Sequence, residues 1–214
     1  MIKIAHRGYS SKFRENTMRS FIAALNKKFD MIELDIQLCR SGEIVVYHDL
    51  TIKDYKIIDL TLTELKEIDK DLITLDEFFR KIDSFKIKIF LDVKGFSEIV
   101  YPLKKFLINS VYKIYLPNIF ISSFNLEIVE MMKTYPMSFK LGFTTCNVLT
   151  DKVKNQLIDN IDFVCIDYSV INKKDIHYLK SKKILVFSCT CKNDLILSYL
   201  KNFDLDGIVS DILI

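Results

Sequence analysis

Eight short runs of β-branched and aromatic residues recur along the chain, at residues 2–6, 31–38, 87–93, 119–123, 139–144, 163–168, 184–189 and 207–210. Runs of this length and composition read as strands. The segments between them carry apolar residues at helical spacing behind residues suited to cap a helix. Asn16 precedes TMRSFIAALNKK, and Asn125, Asn172 and Asn193 stand before LEIVEMM, KKDIHYL and DLILSYL. Thr74 and Glu77 form a capping box ahead of Phe78, Phe79 and Ile82, in which each partner satisfies the other's free backbone N–H. A helix over 98–109 has to take Pro102 in its first turns, since proline deeper in a helix removes a hydrogen bond. Strand and helix thus alternate eight times, about 27 residues per unit, which fits a small α/β protein of the (β/α)8 barrel (TIM barrel) type. A doubly wound open sheet is the alternative with the same alternation. One further strand-like run, 44–48, follows Ser41-Gly42. It reads as a hairpin partner of strand 31–38, placing His48 across from about Asp35.

No Gly/Ser-rich linker or abrupt change in composition interrupts residues 1–214, so the expectation is a single domain. Half of the residues are hydrophobic, enough for a substantial core and incompatible with an intrinsically disordered chain. No run approaches the ~18 consecutive apolar residues of a membrane-spanning helix. The opening MIKIAHRGYSSKFRENT places charges where a secretory signal has its apolar stretch. The expected location is therefore intracellular, in the cytoplasm. The formal net charge is +3, from 31 Lys+Arg against 28 Asp+Glu, with the lysines scattered. A nucleic-acid binder gathers them on one face or run, so no such partner is expected. The five cysteines include no CxxC pair and read as reduced, mostly core residues. Cys189 and Cys191 have the spacing of one strand face. Nothing in the residues sets an oligomeric state.

In a parallel barrel the catalytic groups sit at the C-terminal ends of the strands. Those ends hold His6-Arg7-Gly8 on the first strand, Glu33 and Asp35 on the second, His48-Asp49 on the hairpin return and Asp92-Val93-Lys94 on the next barrel strand. The two-residue period puts Glu33 and Asp35 on one face, with Ile32, Leu34 and Ile36 on the other. Asp92 and Lys94 share a face in the same way, opposite Leu91 and Val93. Inward charges are costly unless paired or bound to a cation. Three converging carboxylates, Glu33, Asp35 and Asp92, suit a hard divalent metal. An ion-pair network, with Arg7 and Lys94 neutralising the acids, is the other arrangement these residues allow. Two of the three histidines, His6 and His48, fall beside this acidic cluster, whereas His177 lies in a polar helix and reads as a surface residue. Two imidazoles, a cation and two basic side chains suit phosphodiester cleavage. One imidazole activates the attacking oxygen and the other protonates the leaving alkoxide, while the cation, Arg7 and Lys94 stabilise charge on the phosphate oxygens.

At these residues the chain resembles the glycerophosphodiester phosphodiesterases. HRGYSSKFRENT resembles their opening HRG motif followed by a PENT-like box, and IELDIQLCRSGEIVVYHD resembles their second motif, an ExD followed by a turn and HD. ITLDEFF, LDVK, ISSF and DGIVSD resemble the later signatures in order, so the likeness runs from residue 6 to 211. The resemblance implies a (β/α)8 barrel that hydrolyses small-molecule glycerophosphodiesters to glycerol 3-phosphate and an alcohol, with Mg2+ or Ca2+ as cofactor. It maps the catalytic histidines onto His6 and His48, the metal ligands onto Glu33, Asp35 and Asp92, and the phosphate contacts onto Arg7 and Lys94. The family more often has Glu where Asp92 stands; related phospholipases D of the spider-venom type have Asp. Arg14 replaces the proline of the PENT box. Cys189-Thr190-Cys191-Lys192 stands in place of a tryptophan motif, removing an aromatic wall of the substrate pocket. The stretch between His48 and Thr74 is shorter than in many relatives. Two other functions stay open at this point: lysophospholipase D-like cleavage of lysolipids, with a cyclic phosphate as one route, and a catalytically silent barrel that binds a phosphorylated ligand.

Overall fold

The computed structural model describes residues 1–82, 87–108, 111–134, 138–157 and 159–214. Eight parallel strands form the barrel: β1 (Ile2–Ala5), β2 (Met31–Leu38), β3 (Lys88–Val93), β4 (Ile119–Ser123), β5 (Lys140–Thr145), β6 (Phe163–Asp167), β7 (Leu185–Cys191) and β8 (Gly207–Ser210). Each pairs with its neighbours in chain order, and β1 closes the ring by pairing with both β8 and β2. An open doubly wound sheet is thereby excluded. The expected hairpin is present: Ile44–Val46 pairs antiparallel with the end of β2, Ile36 facing Val46. The Tyr47 N–H donates to the Asp35 carbonyl at 3.1 Å, so His48 stands one residue beyond the position opposite Asp35.

Among the described residues eight α-helices surround the sheet: α1 (Met18–Asn26), α2 (Leu62–Ile68), α3 (Leu75–Lys81), α4 (Val100–Ile108), α5 (Leu126–Lys133), α6 (Asp151–Leu157), α7 (Lys173–Ser181) and α8 (Asp194–Leu200). Thr74 and Glu77 form the expected capping box on α3, and Asn125, Asn172 and Asn193 cap α5, α7 and α8. The cap of α1 is Thr17, not Asn16, in a box with Ser20. Pro102 sits in the first turn of α4, where its missing N–H breaks no helical bond. Residue 109, the last of the helix expected there, lies outside the described residues. His177 is exposed on α7, as expected.

Parity divides the strands as their sequence pattern requires. Outward residues such as Ile32, Leu34, Ile36, Leu91 and Val93 pack beneath the helices. Inward residues fill the lower barrel with Ile4, Met31, Phe90, Phe120, Phe163, Cys165, Phe187 and Val209. The Phe163 ring lies 5.3 Å from Phe90, edge to face, and 5.2 Å from Phe187. Glycine makes room for it: a Cβ on Gly142 would come within 2.4 Å of the Phe163 ring. Apolar side chains thus plug the bottom of the barrel, and the layer above holds the polar groups. Cys191 departs from the expected parity. Cys189 packs toward the barrel interior while Cys191 joins the outer core. A register shift against β8 between Ser188 and Cys191 reverses the alternation. All five cysteines are free thiols.

Candidate active site

The first βα turn begins the site. Arg7 and Gly8 both take left-handed backbone angles, φ 55 and 79. A side chain on Gly8 would also strike Ser20 Oγ at 2.4 Å, so the turn needs glycine there. This conformation aims the Arg7 N–H at Glu33 Oε2, 2.7 Å away, and sends the Arg7 side chain over Asp35 toward Glu15.

On β2 and β3 the inward positions bring Glu33, Asp35 and Asp92 together, each at most 6% exposed. One oxygen from each lies within 4.8 Å of the others. Lys94 Nζ bridges two of them, 2.5 Å from Asp92 Oδ2 and 3.0 Å from Asp35 Oδ1. Ser122 Oγ donates to Asp92 Oδ1 at 3.3 Å. The alternative ion-pair contacts therefore exist alongside the acidic cluster. Three acids face two cations, and burial acts on all of them. Burial, then repulsion by Asp35 and Asp92, pushes the Glu33 carboxyl well above the usual carboxylate range. Burial acts on Asp35 in the same direction, but Lys94 and Arg7 outweigh it and hold that carboxyl low. Burial keeps Asp92 raised in spite of Lys94. Burial disfavours the Lys94 ammonium, yet Asp92 and Asp35 more than compensate and raise it.

The two histidines flank this cluster with matching support. His6 Nδ1 lies 2.6 Å from Asp211 Oδ1, and His48 Nδ1 lies 2.7 Å from Asp49 Oδ1. Each carboxylate favours the tautomer with the proton on Nδ1, leaving Nε2 as the nitrogen for chemistry. Asp211 also accepts from Ser10 Oγ at 2.9 Å. Burial raises its carboxyl, but the His6 hydrogen bond and charge prevail and hold it low. Gln37, two positions beyond Asp35, donates to the carbonyls of Tyr47 and Asp49 at 2.8 and 2.9 Å. It thereby pins the segment that carries His48.

All seven residues singled out from the sequence, His6, Arg7, Glu33, Asp35, His48, Asp92 and Lys94, line one cavity of about 140 Å3 at the C-terminal mouth of the barrel. Gln37, Asn16 and Asp211 were not among them. The even spacing Glu33–Asp35–Gln37 signals the first. Asn16 and Asp211 lie within the RENT and DGIVSD stretches, but they join the site through contacts 19 and 205 residues apart, which those stretches alone do not place. Cys189 and Thr190 line the cavity where the tryptophan motif is replaced, and Phe124 supplies an aromatic face on another side, its ring 5.0 Å from Lys94 Nζ. Arg14, in place of the PENT proline, pairs with Asp69 and Asp71 just beyond α2.

Comparison with known proteins agrees with this fold. The family model for the glycerophosphoryl diester phosphodiesterase family matches residues 6–213. A glycerophosphodiester phosphodiesterase of Caldanaerobacter subterraneus is 31% identical over 157 residues, 65% of this chain and 64% of that protein. The crystal structure of a glycerophosphodiester phosphodiesterase from Thermotoga maritima superposes with a TM-score of 0.83 at 25% identity, covering 99% of this chain and 94% of that one. An Oleispira antarctica phosphodiesterase, solved with its product sn-glycerol-3-phosphate, shares the fold with a TM-score of 0.87 at 22% identity, over 100% and 94% of the two chains. The match of the family model across nearly the whole sequence, on a closed barrel, places this chain in the glycerophosphoryl diester phosphodiesterase family.

Proposed function

We propose that the protein hydrolyses glycerophosphodiesters to glycerol 3-phosphate and an alcohol, with a divalent cation, Mg2+ or Ca2+, held by Glu33, Asp35 and Asp92. The observation that carries this reading is the convergence of three buried carboxylates within 4.8 Å beside two imidazoles that each keep Nε2 for chemistry. The donor set fits such an ion. It is all oxygen, it has one negative charge more than Arg7 and Lys94 neutralise, and burial together with repulsion by Asp35 and Asp92 raises the Glu33 carboxyl. When bound, the cation supplies Lewis-acid stabilisation of charge on the phosphate oxygens.

The chain's own residues do the rest. Arg7 and Lys94 bind the phosphate and neutralise the charge that gathers on it. Arg7 Nε is buried and makes no hydrogen bond, although Asp35 Oδ2 is 3.1 Å away. One of His6 and His48 removes the proton from the attacking oxygen at Nε2, and the other protonates the leaving alkoxide. Asp211 and Asp49 hold the imidazoles in that tautomer. The glycerol hydroxyl next to the ester oxygen is already tethered near phosphorus, which gives it a large effective-molarity advantage over water. Attack by that hydroxyl expels the alcohol, and water then opens the cyclic phosphate. A coupled glycerol 3-phosphate assay on glycerophosphocholine, -ethanolamine, -inositol and -glycerol tests the reading, with free head group measured in parallel. Equal release of head group and glycerol 3-phosphate supports it; release of neither refutes it.

A second cavity favours lysolipids as additional substrates. About 230 Å3 in volume, it is walled by Leu38, Leu50, Ile58, Phe96 and Ile99 and shares Lys94 with the catalytic cavity. An acyl chain on the bound glycerol has an apolar place to lie there. Release of choline from lysophosphatidylcholine, compared with glycerophosphocholine, separates the two readings. Among the described residues no helix is long and apolar enough to cross a membrane.

A further inference from the structure

Asn16 occupies a costly position and spends its whole side chain on one residue. It is 5% exposed, and its backbone takes the left-handed conformation at φ 54, which asparagine tolerates better than other residues with a side chain. Nδ2 donates to Asp35 Oδ2 at 2.7 Å, and Oδ1 accepts the Asp35 N–H at 3.2 Å. Its own N–H donates to the Arg7 carbonyl at 3.0 Å, closing the loop that carries Arg7. Helix capping does not explain the residue, because Thr17 caps α1.

The consequence lies in how Asp35 divides its two oxygens. Oδ1 faces Lys94, whereas Oδ2 faces Asn16 and the Arg7 guanidinium. Arg7 Nε is close enough to Oδ2 for an ion pair, yet it makes no hydrogen bond to it. The amide of Asn16 holds Oδ2 by a directed hydrogen bond at 2.7 Å instead. From this geometry we infer that Asn16 is the positioning residue of Asp35: it fixes the carboxylate plane, keeps the Arg7–Asp35 ion pair from becoming a directed hydrogen bond that turns the carboxylate, and so holds Asp35 available to a divalent cation. The inference rests on the cation reading given above. Residues that orient a metal ligand commonly alter metal affinity by about 10–100-fold when removed.

Asn16→Gly is the appropriate substitution, because glycine adopts positive φ without strain and only the amide is lost. The test is titration calorimetry of metal-stripped protein with Mg2+ and with Ca2+, in wild type, Asn16→Gly, Arg7→Leu and the double variant, with thermal unfolding in EDTA alongside. Asn16→Gly should unfold in EDTA close to wild type and bind the cation about 10–100-fold more weakly. In the Arg7→Leu background the same substitution should weaken binding far less, since the competitor for Asp35 is gone. If Arg7→Leu does not fold, the single-variant affinity still decides. Wild-type affinity in Asn16→Gly overturns the positioning role alone. An equal loss with and without Arg7 overturns the competition with Arg7. A wild-type protein that binds neither ion overturns the cation reading itself, and the positioning role with it.

Discussion

Lys94→Met removes the charge between Asp92 and Asp35 while keeping an unbranched side chain of similar length. In the wild type Nζ lies 2.5 Å from Asp92 and 3.0 Å from Asp35, and none of the three side chains is more than 13% exposed. Two unit charges at 3 Å attract by roughly 5–6 kcal/mol at an effective dielectric constant of about 20. Desolvation offsets part of that gain, and breaking a buried pair by removing one partner costs about 3–5 kcal/mol. At about 2–4 °C per kcal/mol for a chain of this size, the metal-free variant should melt about 6–20 °C below wild type near neutral pH. The sign of the pH dependence follows from Asp92, whose carboxyl is already raised by burial. Without Lys94 the Asp92 carboxyl moves further above its unfolded value and Asp35 loses the largest of the charges that hold it low, so stability is lost as pH rises through and beyond the ordinary carboxylate range. The gap between variant and wild type should therefore widen from pH 5 to pH 8 in EDTA. It should narrow on adding Mg2+ or Ca2+, which restores positive charge among the same oxygens. Scanning calorimetry at both pH values, with and without cation, reads all of this. A variant as stable as wild type at pH 8 in EDTA, or a deficit indifferent to pH and cation, refutes the reasoning.

His6→Ala and His48→Ala should each lower kcat by at least about 100-fold, the scale of a general acid or base. Calorimetric cation affinity should barely change; loss of affinity with near-normal kcat would make that histidine a ligand instead. Gly142→Ala puts a methyl group within 2.4 Å of the Phe163 ring and should cost about 1–3 kcal/mol by overpacking, read from urea unfolding. The Asp211 carboxyl is held low by His6, so the stability it contributes is present above the ordinary carboxylate range and lost as pH falls through its folded value. The melting-temperature advantage of wild type over Asp211→Asn should therefore shrink on acidification from pH 7 to pH 3; a constant gap removes the assignment.

The parts of the fold readable from sequence are those governed by short-range periodicity. A two-residue period placed Glu33, Asp35, Asp92 and Lys94 on the inward face, and the outward isoleucines and leucines pack under the helices accordingly. The hairpin at Ser41-Gly42 brought His48 to within one residue of its observed register, because a tight turn leaves little freedom in pairing. Local reasoning failed where a side chain had two uses. Asn16 is as good a helix cap as Thr17, but its amide is engaged by Asp35, and only the closed barrel brings that partner near. Asp211 reaches His6 because β8 pairs with β1, a contact that depends on ring closure. Cys191 escaped the parity rule because the register shift in β7 reverses the alternation, and nothing in Cys189-Thr190-Cys191 announces it.

The central claim is that cleavage of a glycerophosphodiester depends on a cation held by Glu33, Asp35 and Asp92. Phosphorus NMR of glycerophosphocholine with metal-stripped protein tests it most directly, run first in EDTA and then in excess Mg2+ or Ca2+. The predicted spectrum is unchanged substrate in EDTA, followed on cation addition by conversion to glycerol 3-phosphate. Undiminished turnover after exhaustive chelation contradicts the claim.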